Sequence, residues 1–269
     1  MDLLNRQNEK ESLEIQATAR LLYDRADNID LIEWIIILLL PILKIIFPNS
    51  IILNYIMMFW FFLSFVFDYF IEKNTVSAAE LKKGFDYYVY GWSKEINKKL
   101  ISLSKKHKVK NASFFERQVN NTGTDNPRGV KNWYTKIEEN MPQEMAIEKA
   151  MKENIYFDKG INNLAYGIIV AFVIFVVILL SVSDLTFYEV LYASFVLFAS
   201  FTKKLYSTYF NLKRVEKINE NIDILLNDKE VDLLYLQTEI DKKRAISRTS
   251  NKFIYYFRTK NIHKEVSNL

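Results

Sequence analysis

Cysteine is absent from this 269-residue chain, which removes disulfides and thiolate chemistry from consideration. Histidine is nearly absent: His107 and His263 both stand in basic, polar runs, and neither has a partner at metal-ligand spacing. Six glycines are too few and too scattered for a phosphate-cradling loop, and neither GxGxxG nor GxxxxGK occurs. No stretch alternates apolar and polar residues as a half-buried strand would. Metal, thiol and P-loop chemistry are therefore not expected, and no cofactor is implied.

Charge is missing in a more telling way. Leu31–Phe47, Ile51–Ile71, Leu164–Val182 and Leu185–Leu205 are apolar runs of 17 to 21 residues, each long enough as a helix to cross a hydrocarbon core. None keeps the polar stripe that a buried helix of a soluble protein shows. Pro48, Asn49 and Ser50 alone separate the first pair, and Ser183 and Asp184 the second. Glu33 and Asp68 fall at the ends of their runs and Lys44 can snorkel outward, so the bilayer centre holds no ionisable group. Ion-coupled transporters and voltage sensors need charge or interrupted helices at that depth. A single copy is thus a poor conduit, and any pore requires several copies.

Of 36 lysines and arginines, 35 lie in residues 1–30, 72–163 and 203–269, and the hairpin turns hold none. With four spans these segments share one side, which the positive-inside bias makes the cytoplasm. The expected fold is an all-α membrane protein: four transmembrane helices in two hairpins with a helical cytoplasmic domain. Its parts are an N-terminal cytoplasmic helix (1–30), hairpin 1 (31–71), a cytoplasmic helical region (72–163), hairpin 2 (164–205) and C-terminal cytoplasmic helices (206–269). The first thirty residues carry seven acidic and four basic side chains, unlike the short basic start of a signal peptide, so the first span should be retained.

Within the cytoplasmic segments, Leu13, Ala17 and Leu21 predict a short amphipathic helix ending near Tyr23. Ser77 with Glu80 three residues on reads as a capping box opening a further helix. Residues 94–110, with seven lysines and one acid, predict an exposed helix, and NNTGTDNPRG at 120–129 a loop. Pro142 should start a helix that runs past Asn154 and Asp158 into the third span. The fourth span should continue beyond Lys203 on the stripe Leu205, Tyr209, Leu212, Val215, Ile218, Ile222 and Leu225. A last helix is expected after Asn227-Asp228.

From Lys242 to Lys264 there are eight basic side chains and no acid, interleaved with Phe253, Tyr255, Tyr256 and Phe257. One reading is a juxtamembrane belt against anionic headgroups. The other is a pocket for an anionic, aromatic ligand, with arginine for phosphate and rings for bases. A membrane-tethered, modestly basic domain is not expected to bind duplex nucleic acid.

Several strings in order resemble the four-transmembrane effectors of bacterial cyclic-oligonucleotide anti-phage signalling (CBASS), the SMODS-associating four-transmembrane effectors. They are Asn5, Gln7, Asn8 and LLYDRA (21–26); Ala78-Ala79, Phe85-Asp86 and Trp92; Trp133-Tyr134; Asn154, Phe157 and Asp158; and Leu236-Gln237, Ile240, Arg244 and the aromatic cluster to Tyr256 and Arg258. Two departures stand out. Met151, Lys152 and Glu153 occupy positions that are often Cys, Gln and Arg, and Lys82 replaces the usual glutamine-glutamate pairing. No catalytic residues are carried over.

The resemblance implies a non-enzymatic, pore-forming effector at the bacterial inner membrane, with both termini cytoplasmic. It would respond to a cyclic di- or oligonucleotide made by a neighbouring nucleotidyltransferase, and disrupt the membrane as a homo-oligomer during abortive infection. Trp133, Tyr134, Arg244, Arg248 and Arg258 are the candidate ligand-binding residues. The alternative is a non-catalytic membrane adaptor that recruits cytoplasmic partners. A lipid-modifying enzyme, the third possibility, would call for an acid–histidine or serine-based motif near the bilayer surface, and no His-x4-Asp string is present.

Overall fold

The computed structural model describes residues 2–159, 170, 174 and 187–247, apart from 48, 124, 136, 139 and 229. The described residues form helices and turns, without a strand among them; Thr122 and Lys131 make an isolated parallel bridge.

Helix α1 (Asp2–Arg6) precedes α2 (Lys10–Ile46), which does not stop near Tyr23 as expected. No glycine or proline lies between Tyr23 and Leu31, and each residue added to an existing helix gains a hydrogen bond without a new nucleation cost. Pro41 is accommodated inside α2. The capping-box reading of Ser77 is likewise corrected: Ser77 lies within α3 (Ile51–Val89), which continues from the apolar stretch without a break. A serine caps only where the preceding backbone has left the helix, and nothing between Ile71 and Ser77 makes it leave. Gly91, at φ +80°, then takes the left-handed conformation that turns the chain beyond α3.

Asn97 caps α4 (Lys98–Lys110) by accepting the Lys99 N–H at 2.9 Å. A short α5 (Ala112–Asn120) follows, and the loop after it occupies 121–142 as the turn chemistry from Asn120 predicts in part. Next come α6 (Gln143–Lys159) and α7 (Phe187–Asn227), the second continuing unbroken past Lys203 as the apolar stripe predicts. Asp232 accepts the Tyr235 N–H at 2.9 Å and caps α8 (Leu233–Arg244). The third expected span lies outside the described residues except for Val170 and Ile174.

The chain divides into two compact units. The first comprises 1–25, 73–158 and 218–246. Its core takes Ile15, Ala19 and Leu22 from α2, Ala78, Leu81, Phe85 and Val89 from α3, Ile147, Ala150 and Met151 from α6, Ile222 from α7, and Leu236 and Ile240 from α8. Steps of three and four along each helix put these residues on one face, and each fully buried large side chain contributes about 1.5–3 kcal/mol. Gly84 leaves room for α4: a Cβ there would stand 2.4 Å from Leu100 Cδ1.

The second unit comprises 26–72, 159–217 and 247–269. Ile37, Leu40, Met57, Trp60 and Phe201 form its described core. Outside that core α3 carries its apolar side chains on the surface, with Ile52 71%, Phe59 67% and Phe62 60% exposed. Among the described residues α3 is the one helix long and apolar enough to cross a membrane. At the far end of the apolar stretch, Lys204 joins Asp30 and Glu33 at 2.6 Å each, while Lys203 pairs with Asp68 at 2.6 Å and donates to Ser64 at 2.7 Å. Burial of these charges is tolerable because each ammonium meets a carboxylate.

Candidate functional site

Three separate stretches of the first unit meet at Asp86: α3 itself, the central loop and α8. The apolar face of α3 carries Asp86 beside Phe85, so the chain buries the carboxylate completely. Its Oδ1 accepts the Tyr134 hydroxyl at 2.6 Å. Its Oδ2 accepts Arg244 at 2.5 Å and the Gln237 amide at 3.1 Å. Tyr134 gives its only proton to Asp86, so in the 3.0 Å contact between the tyrosine hydroxyls Tyr90 is the donor. Gln7 on the loop after α1 accepts the Tyr134 backbone N–H at 2.9 Å, fixing the central loop to the N-terminus. Asn8 and Asn132 exchange two further hydrogen bonds of 2.7 and 3.0 Å.

The electrostatics of this cluster follow from its dryness. Burial and the neighbouring Asp86 carboxylate push the Tyr90 and Tyr134 hydroxyls well above the usual phenol range, so both remain protonated donors. Burial alone would lower the Arg244 value, but Asp86 and the two tyrosines more than offset it and the guanidinium stays charged. Asp241 lies 3.7 Å from Arg244 and accepts Gln237 at 2.8 Å. Burial nevertheless pushes its carboxyl from 3.8 up to about 6, against the pull of Arg244. Its Oδ2 and the Gln237 Oε1 are buried without a hydrogen-bond partner.

Beside this cluster, Lys82 donates to the Gln16 side-chain oxygen and sits over the Trp133 ring, 3.6 Å from the centroid. Trp92 packs edge-on against Tyr87 and Tyr90, with ring centroids 5.3 Å apart in each pair. Glu153 accepts the Thr135 hydroxyl at 2.8 Å and its N–H at 3.2 Å, and Met151 is wholly buried. The positions that depart from the family-like pattern are thus packed or bonded here.

Of the candidate ligand-binding residues, the structure brings Tyr134 and Arg244 together, but around Asp86 and away from solvent. The Arg244 side chain is 12% exposed and Tyr134 2%. An anion reaching Arg244 from solvent has to displace Asp86, leaving a buried carboxylate uncompensated. Trp133 is half-buried under Lys82. Arg248 and Arg258 lie outside the described residues. Asn154 and Asp158 fall on α6, with their side chains outside what is described. Phe85, Asp86, Trp92 and Gln237 from the family-like strings share one neighbourhood.

The same unit contains an open groove of about 580 Å³ between the start of α2, the end of α3 and α4. Tyr88, Lys94, Glu95, Lys98, Ile101 and Lys105 line it. The sequence predicts an exposed, lysine-rich helix at 94–110 but not the groove, because a concavity between helices distant in sequence leaves no local signal. No group of three His, Asp or Glu side chains among the described residues is placed to hold a metal ion.

The described residues form an all-helical fold in which α3 is long and apolar enough to cross a membrane. More particularly, the chain belongs to the SMODS-associating 4TM effector domain family, whose model matches residues 1–262. That family is an effector domain associated with CBASS and not a known catalytic family. No curated protein and no solved structure matches the chain.

Proposed function

We propose that the protein is a cyclic-nucleotide-responsive, membrane-disrupting effector of anti-phage abortive infection. Four spans in two hairpins lie in the bacterial inner membrane, with both termini in the cytoplasm. A neighbouring nucleotidyltransferase supplies the signal, and the bound ligand favours a homo-oligomer that breaches the bilayer.

The observation that carries this reading is the continuity of α3. One uninterrupted helix, Ile51–Val89, includes both the apolar stretch suited to a bilayer and the Asp86 network in the first unit. Helix α7 repeats the pattern, running from the apolar Phe187–Phe201 segment to Ile222 in the core of the first unit. A rearrangement of packed helices in the ligand-binding unit therefore acts on helices that continue into the apolar stretches. Ligand must prefer the assembled state, since equal affinity for both states shifts nothing.

The test is thermal stabilisation of the purified, detergent-solubilised protein across a panel of cyclic di- and trinucleotides. One or a few members should raise the melting temperature in a concentration-dependent way. Failure of every member to shift it contradicts the reading and favours an adaptor.

A further inference from the structure

The buried Asp86 cluster leaves its own arginine engaged, so recognition of an anion needs other cations. Lys94, Lys98 and Lys105 all face the 580 Å³ groove and all three are exposed. Among the described residues they take part in no ion pair, although the neighbouring Lys108 pairs with Glu14 at 2.7 Å. Lys98, Ile101, Ser102 and Lys105 follow one another at helical steps of three, one and three, so α4 presents them on a single face. Ile96, buried beneath, and Ile101 give the groove an apolar floor. Tyr88 is held in place from two sides: its hydroxyl donates to Glu9 at 2.6 Å, and Arg6 lies 5.2 Å from its ring centroid. Two carboxylates, Glu11 and Glu95, stand at the rim.

We propose that this groove is the ligand site of the effector, and that it takes a small phosphodiester ligand bearing amino-substituted bases. The inference rests on the nucleotide-responsive reading above and places its recognition at Lys94, Lys98 and Lys105. The lysines supply the charge for phosphodiester oxygens. A base lies against Ile101 and Tyr88, and Glu95 or Glu11 accepts from an exocyclic amine, as carboxylates do from amino groups at base edges. The volume falls within the range of about 300–1,000 Å³ usual for small-ligand pockets. An anionic lipid headgroup offers the same phosphodiester, but it brings no planar base to lie against Tyr88 and Ile101. The nucleotide is the better fit.

The experiment compares wild type with Lys98→Glu/Lys105→Glu in the full-length, detergent-solubilised protein. Both positions are exposed and have no ion pair among the described residues, so the melting temperature without ligand should be the same in the two proteins. Binding of labelled cyclic di-adenylate, cyclic di-guanylate and cyclic tri-adenylate is measured, alongside recruitment of the detergent-exchanged protein to phosphatidylglycerol vesicles. The expected result is a loss of about tenfold or more in affinity for whichever nucleotide wild type binds, with vesicle recruitment unchanged. If wild type binds a nucleotide and the double variant matches it within twofold, the site lies elsewhere while the nucleotide-responsive reading stands. A variant defective only toward vesicles assigns the groove to lipid and overturns the proposal. Absence of binding to all three nucleotides by wild type contradicts both the reading and the site.

Discussion

Asp86 organises the first unit because it is a carboxylate that the helix periodicity forces indoors. Once there it needs a cation and donors; Arg244 and Gln237 on α8 and Tyr134 on the central loop provide them. Removing Arg244 would leave Asp86 buried and uncompensated, so any loss of ligand binding in Arg244→Ala comes with a loss of fold. Asp241, three residues before Arg244 on the same helix, gives a cleaner test. Its carboxyl is pushed up to about 6 in the folded protein against 3.8 ordinarily, so between those values the folded state holds more protons than the unfolded chain. The free energy of unfolding therefore falls as pH rises through that window. Urea titrations at pH 4.5 and 6.5 should show this fall in wild type and a smaller one in Asp241→Asn. Equal falls would mean that Asp241 is not the titrating group. The sequence named Asp86, Gln237, Tyr134 and Arg244 through their place in family-like strings, yet it assigned Arg244 and Tyr134 to a ligand. Composition shows an acid-free basic stretch after Asp241; it does not show that one of its arginines faces a carboxylate some 150 residues away.

At the level of elements, existence was more legible than boundaries. The apolar stripe after Lys203 predicted the long continuation of α7, and Asn227-Asp228 marked its end. The same reasoning split α2 and α3, each of which is one helix. Serine three residues before glutamate also occurs inside helices, and an aspartate-rich segment such as Asp24–Asp30 stays helical where its neighbours on both sides are helical. The short α5 had no periodic run long enough to announce it. Continuity has a consequence for α7. Leu212 is fully buried within it, and proline there removes a backbone hydrogen bond and clashes with the preceding turn, costing about 3 kcal/mol or more. Leu212→Pro should abolish nucleotide-triggered leakage from liposomes while reducing nucleotide affinity far less. Parallel loss of both would show that α7 matters only for folding.

For the molecule as a whole, the proposed function has no single copy conducting. The apolar stretch of α3 offers ions no polar path, and moving a bare charge through hydrocarbon is costly. Among the described residues, Asp30, Glu33, Asp68, Lys203 and Lys204 at one end of the apolar stretches are engaged with one another in the second unit. On the proposed function, conduction then arises between copies, or from lipid distorted around an assembly. The most direct measurement is dye leakage from liposomes with the oligomeric state of the reconstituted protein determined in the same samples, with and without the activating cyclic nucleotide. Leakage should appear only with nucleotide, and only at protein densities where the larger assembly is present. Leakage from verified monomers, at densities where no assembly forms, would contradict the account.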